Sequence, residues 1–509
     1  MMTRRKFLGT SAAAVGAAAL AACGAAPTAT TVPPTQTPVI VSKEVTKVVV
    51  QTQVVKETQV VQQTQIVEKV ITATPVAAPT KLAIKVTGTF TVLQKKDFFQ
   101  SMNDYLRNEM AKFFTAQGWS WDIAYVEGFT AGSAFVEKLT AMSAAGTPPD
   151  LMMHTDAAGV LMQGKIVDPV DDLVNEAIRT WGATAARQKA EFTFTDGKWY
   201  YLPYFARSDG GWYRDPAFKA KGIDLQKIRL YPDLWEACLA VSDPAKQFYG
   251  WGITIAKTGD GDWFRDRTMC GYGAYVQDPT GQYVTLDSPQ TVEAITLVTN
   301  LYKEAKWAPM IPPGVLAWSD SSNNEAYMAG KVAYTQNAGT VYGNMQLQNL
   351  QPQLGETLFH PPAGGPVNKE FNSSTANYWC LFRGSKNQDA ARATMRAFVL
   401  PLEKMDGVFA NAPSFALAAY YDQWDKSTVL KTLPVAMEQK PVATSQVLMI
   451  PGQHPGPTNN PPMVTAMNVD YMADMTAAIL KGTPVAQAVK DCHARYVQTF
   501  KDAGLPGSK

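Results

Sequence analysis

The 509-residue chain carries 46 Lys and Arg against 44 Asp and Glu, a formal charge of +2, and 46% of its residues are hydrophobic. That length exceeds one ordinary core and predicts two domains plus some non-globular sequence. The near-neutral balance, with cations scattered rather than striped between exposed aromatics, argues against a nucleic-acid groove and favours a small, neutral or weakly charged ligand.

The first element in chain order is an address. Thr3-Arg4-Arg5-Lys6-Phe7-Leu8, then small and apolar residues, then Leu20-Ala21-Ala22-Cys23, gives the charged start, short apolar middle and small-residue end of an export signal at 1–22. The paired arginines before Phe-Leu resemble a twin-arginine signal, with a Sec signal as the alternative. Leu-Ala-Ala-Cys resembles a bacterial lipobox, which implies cleavage before Cys23, lipidation of Cys23, and a protein anchored to the membrane outside the cytoplasm. Beyond the first 25 residues no apolar run approaches the ~20 that span a bilayer. From Gly24 to about Thr80 the chain has no Trp, Tyr, Phe or Leu, and Thr52-Gln-Val-Val55, Thr58-Gln-Val-Val61 and Thr64-Gln-Ile-Val67 recur between Pro-rich ends. Such a tract cannot build its own core, so 23–80 reads as a lipidated Cys and a low-complexity stalk.

The body opens at Lys81-Leu-Ala-Ile-Lys-Val86, whose alternation predicts a strand, followed by Gly88-Thr-Phe-Thr91. Phe98 to Thr115 has helical spacing, Asp122-Ile-Ala-Tyr-Val126 reads as the next strand, and Phe135 to Ala144 as a helix running into Gly146-Thr-Pro-Pro-Asp150. This rhythm predicts an α/β fold with a mainly parallel sheet covered by helices. Ligands of such sheets bind beyond the carboxyl ends of the strands, which places Gly88 to Thr91, with Phe90 among them, and His154-Thr155-Asp156 at one rim. The aromatic run Gly197 to Phe218 admits two readings: a plain buried strand, or a crossing between domains that also lines the ligand. Gly210-Gly211 inside it supplies either backbone freedom or close strand approach.

Catalytic patterns are missing from the sequence. His154, His360, His454 and His493 are too dispersed for a local zinc motif, and there is no G-x-S-x-G elbow, phosphate loop or dinucleotide fingerprint. Cys238, Cys270, Cys380 and Cys492 are either disulfide-bonded or buried thiols. Asp260-Gly-Asp262 with Asp266 lacks the order of a calcium loop and reads as a solvated loop. No catalytic residue, cofactor or metal is therefore expected. Twelve Trp and twenty Tyr suit a different use, flat platforms for the apolar faces of sugar rings.

Several segments share an order with a known family. Pro149-Asp-Leu-Met-Met-His-Thr-Asp156 with Gly164-Lys-Ile-Val-Asp-Pro-Val170, Gly197 to Phe218, Tyr231-Pro-Asp-Leu-Trp-Glu-Ala-Cys238, Phe248-Tyr-Gly-Trp-Gly252, Asn324-Glu-Ala-Tyr-Met-Ala-Gly-Lys-Val-Ala-Tyr-Thr335, Ser385-Lys-Asn-Gln-Asp-Ala-Ala391 and Ile479 to Ala488 follow one another along the body. In this order they resemble the extracellular solute-binding proteins of carbohydrate ABC importers, the maltose-binding-protein type. The resemblance runs from about 81 to 499. It implies a two-lobed periplasmic-binding-protein-like fold (type II) with discontinuous lobes, 81–206 plus 363–405 and 207–362 plus 406–509. It also implies a monomer that is not an enzyme, captures a sugar between its lobes and delivers it to ABC permease subunits.

Carried over residue by residue, the resemblance assigns His154 and Asp156 to hydroxyl binding, with helix capping as the other role of Asp156. It puts Tyr204 and Arg207 on the cleft-lining crossing, Arg207 being suited to bidentate contact. Trp263 and Phe264 match the second-lobe aromatic platform, and Trp318 is a platform or a core residue. Asn337 and Thr340 follow a strand, Thr340 standing where many relatives carry a Trp. Ser373, Ser374 and Asn377 replace a common Gly pair. Three other readings stay open: a binding protein for a peptide, polyamine or phosphorylated polyol; a secreted hydrolase; and a sensor subunit for a membrane kinase.

Overall fold

A computed structural model describes residues 81–127, 133–155, 158–208, 210–369, 371, 374–433 and 435–509. The export signal, Cys23, the stalk, Asp156 and Ser373 lie outside the described residues. Two sheets organise the rest.

The first sheet contains β1 (Phe90–Lys96), β2 (Trp121–Glu127), β3 (Leu151–His154), β4 (Leu202–Ser208), β9 (Ser374–Leu381) and β10 (Leu417–Ala418), in the order β10-β4-β9-β3-β1-β2. β1 pairs in parallel with β2 and β3, whereas β9 runs antiparallel to β3 and β4. β3 and β9 are buried along their whole length, β3 as an apolar run ending in His154 and β9 as a stretch that carries Ser374, Thr375 and Asn377 before the apolar Tyr378 to Leu381. The second sheet contains β5 (Gly211–Arg214), β6 (Tyr249–Trp251), β7 (Val332–Gln336) and β8 (Thr357–His360), in the order β6-β7-β5-β8. Trp251 stacks on Tyr334 there, with ring centroids 5.6 Å apart.

β4 belongs to one sheet and β5 to the other, so the aromatic run is both buried strand and crossing. Gly210 and Gly211 settle into the close-approach reading. A Cβ on Gly210 would lie 2.2 Å from Phe359 Cε2, and one on Gly211 2.2 Å from Tyr334 Oη. The chain crosses back between β8 and β9, and again between the helices Ala436–Ala443 and Pro461–Val469.

The first strand lies one element later than expected. Lys81 to Val86 is not in a ladder: Leu82 N–H donates to Gln117 Oε1 at 2.7 Å and the Ile84 carbonyl accepts Trp119 Nε1–H at 3.1 Å. Side chains satisfy that backbone, and Leu82, Ile84 and Val86 pack on the core as an extended margin. The second difference concerns the lobes. Within residues 406–443, expected in the second lobe, Val408, Phe409, Trp424 and Leu430 are buried in the core of the first sheet and Leu417 of β10 pairs with Ala206 of β4, whereas Val435 and Val442 pack with Trp212 and Phe359 of the second sheet. All four cysteines of the body are free and buried. Among the described residues no helix is long and apolar enough to cross a membrane.

Candidate functional site

Strand polarity fixes where a site can form. β4 ends and β9 begins where the chain passes between lobes, and β3 runs antiparallel to β9, so their termini share one rim of the first sheet. Gly211, at the start of β5, pairs with Gln336 at the end of β7 and His360 at the end of β8, which defines the corresponding rim of the second sheet.

The first rim is built from ions and hydroxyls. Arg207 sits opposite Thr375 in the β4–β9 register and donates from Nη2 to Thr155 Oγ1 at 2.7 Å. Its guanidinium lies 5.9 Å from the Phe415 ring centroid, a cation–π contact. Arg207 Nε is buried without a hydrogen-bond partner, and no carboxylate of the described residues pairs with this side chain. Thr375 Oγ1 donates to Glu191 Oε2 at 2.8 Å, and Arg187 Nε holds the other carboxylate oxygen at 2.8 Å. At the end of β1, Lys95 and Asp97 form a fully buried ion pair at 3.4 Å.

The second rim is mostly neutral. Thr258 caps the helix Gly259–Gly271, its Oγ1 accepting the Gly261 N–H at 3.1 Å. Asp320 accepts the next free N–H groups, from Asp260 at 2.9 Å and Gly259 at 3.3 Å, as an acid at a helix N-terminus does. Asn323 Nδ2 donates to Asp260 Oδ2 at 2.7 Å and to the Gln336 carbonyl at 3.1 Å. Burial, and after it the neighbouring Asp320, hold the Asp260 carboxyl well above the usual carboxylate range. His360 is buried; its Nε2–H donates to the Ile228 carbonyl at 3.0 Å, and burial pushes its pKa down to about 4. Trp263 is half-buried, with the Arg267 guanidinium 4.3 Å from its ring centroid.

Of the residues singled out from sequence, Arg207 and Trp263 occupy these rims with accessible surface, and Trp318 is half-buried against the second lobe's core. Asn337 and Thr340 stand at the second rim but bond each other and Asn324, with Asn337 Nδ2 2.9 Å from Asn324 Oδ1. Ser374 is buried on the first rim, 3.4 Å from Gln188 Nε2. His154 is buried, its ring stacked on Phe135 at 4.7 Å.

Three assignments change. Phe90 begins β1 rather than following a strand, so it lies at the far end of the sheet, in the core against Phe114 and Trp119. Tyr204 points into the first core against Trp379, at the irregularity of the β4–β9 ladder between Pro203 and Phe205. Phe264 is not in a loop but in the helix capped by Thr258, where it faces Tyr231 and Trp251 inside the core. The supposed solvated acidic loop belongs to the same helix: Asp262 and Asp266, with Asp470, surround the buried Arg265. Among the described residues no group of three or more His, Cys, Asp or Glu is placed to hold a metal ion. Sequence reasoning missed Glu191, Thr375, Asn323 and Asn324; the Thr258 cap followed by Asp260 and Asp262 was a legible helix-start signal.

A family described as bacterial extracellular solute-binding protein matches residues 122–399, more than half of the 509. No curated protein sequence matches the chain. Among solved structures, maltose-bound MalE3 of T. maritima superposes with a TM-score of 0.66 at 16% identity, covering 80% of this chain and 99% of its own. An ABC transporter solute-binding protein from Agrobacterium vitis S4 with bound D-mannitol gives 0.65 at 19%, covering 82% and 99%. A sugar transporter from Arthrobacter chlorophenolicus A6 with bound laminaribiose gives 0.64 at 15%, covering 81% and 99%. The shared fold is two-lobed and α/β, as expected from the sequence.

Proposed function

Since the chain belongs to the bacterial extracellular solute-binding protein family, we propose that it is the lipid-anchored, extracytoplasmic solute-binding component of an ABC transporter, capturing a sugar or polyol between its lobes. The observation that carries this reading is Arg207, a guanidinium on a lobe rim with Nε unpartnered and no carboxylate among the described residues to neutralise it. A buried polar atom without a partner calls for one, and a vicinal hydroxyl pair fits the planar fork. Trp263 and Asp260 on the second rim supply the complementary chemistry, an aromatic face for C–H groups and a polar carboxyl whose pKa burial raises. The ligands bound in proteins of similar fold, maltose, D-mannitol and laminaribiose, support a neutral polyhydroxyl solute.

A solute touching both rims stabilises the closed arrangement by as much as it binds that arrangement better than the open one. The closed form then docks on permease subunits, and Cys23 keeps the protein at the membrane that holds them. A thermal-shift screen of the full chain over monosaccharides, oligosaccharides and polyols tests the reading. A solute at 100 times its Kd should add about 2.7 kcal/mol of stability. Silence across the whole panel, alongside a shift with a peptide or polyamine, would overturn it.

A further inference from the structure

Residues 444–460 join the helix Ala436–Ala443, which packs on both sheets, to the helix Pro461–Val469 in the second lobe, and two adjacent asparagines at the end of this crossing divide the lobes between them. Asn459 Nδ2 lies 3.2, 3.0 and 3.1 Å from the carbonyl oxygens of Ala190, Glu191 and Thr193. These end the first-lobe helix Ala186–Phe192, whose last carbonyls have no donor within the helix. Asn460 turns the other way, its Nδ2 donating to Gln277 Oε1 at 2.8 Å and to the Gly281 carbonyl at 2.9 Å in the second lobe. Gln277 in turn donates from Nε2 to the Gln453 carbonyl at 2.6 Å, fixing the middle of the same crossing.

The local backbone is specific to this arrangement. Asn459 has φ of 60°, in the left-handed region that Asn tolerates better than most residues. Gly159 lets the crossing approach: a Cβ there would lie 2.9 Å from Val464 Cγ2 and 3.0 Å from Asn459 Oδ1. The helix that Asn459 caps is also the one that braces the first rim, since Gln188 holds Ser374 and Glu191 holds Thr375, the register partner of Arg207.

We propose that Asn459 is a positioning residue that ties the first-lobe rim to the second lobe, so that the seating of Thr375 and the inter-lobe arrangement are one equilibrium. That the rim binds solute rests on the proposed function; the tie itself does not. It is therefore tested without solute, on the full chain, with a fluorophore pair carried on unnatural amino acids at the exposed positions Lys112 and Lys227. Asn459→Asp keeps the shape and the left-handed backbone but faces the three carbonyls with acceptors. The expected result is a second transfer-efficiency population of about 10% or more of molecules, absent from the unsubstituted chain. Asn459→Gly, which keeps the backbone and removes the amide, should do the same and serves if the Asp variant does not fold. A single, unshifted distribution in a folded variant overturns the proposal and leaves Asn459 a helix cap.

Discussion

The two rims meet the same requirement, polar groups at the end of a buried sheet, by opposite means. The first keeps its charges and pairs most of them, Arg187 with Glu191 and Lys95 with Asp97, leaving Arg207 without a carboxylate among the described residues. The second biases its groups toward their neutral forms, burial raising the pKa of Asp260 and lowering that of His360. Paired ions cost desolvation but fix geometry, whereas neutral groups tolerate burial and exchange partners readily. Under the proposed function, the difference assigns specificity for hydroxyl geometry to the first lobe, where Arg207 is held by Thr155, and general affinity for ring faces to the second, through Trp263.

The largest effect that tests this contrast is acid sensitivity. His360 has a folded pKa of about 4 against 6.5 in an ordinary environment. As pH falls through 6.5 the unfolded chain takes the proton first, so stability drops until pH reaches about 4, by about 3 kcal/mol in all. Asp262, whose carboxyl burial pushes up to about 7, has the opposite sign: its folded form takes the proton first and gains stability over the same range. A His360→Gln variant isolates the loss. Measured by urea midpoints at pH 7 and pH 4, its stability relative to the unsubstituted chain should rise by about 3 kcal/mol on acidification. No change in that gap would remove His360 from the neutral set.

Next in size is Arg207→Met, which keeps the length of the side chain and removes the fork. Loss of a charge-assisted contact should weaken solute binding by about 2 kcal/mol, roughly 30-fold, with thermal stability of the free protein little altered. Calorimetric titration reads it, and a variant that binds as tightly as the original chain would take the first rim out of the site. Smallest is Trp263→Ala, expected to cost about 1 kcal/mol and to weaken all ring-shaped solutes alike. An effect confined to one stereoisomer would move specificity to the second lobe.

How much of this was readable from residue order depends on how far apart the partners lie. The crossing was legible because aromatics, Gly210-Gly211 and Arg207 are consecutive, and local order carried the meaning. Phe90 was misplaced by a slip of one element: Lys81 to Val86 alternates like a strand, yet its N–H and carbonyl groups are met by Gln117 and Trp119 side chains that no alternation reveals. Residues 406–443 have the apolar spacing of core helices, and spacing does not say which of two cores receives them. Glu191 was invisible for the same reason, since the Thr375 it braces is 184 residues away.

The central claim is that one solute touches both rims. A crystal structure of the complex with the tightest-binding member of the sugar and polyol panel tests it most directly. The expected result is a ligand with atoms within about 4 Å of both the Arg207 guanidinium and the Trp263 ring. A ligand seated against one lobe only, or away from both residues, would contradict it.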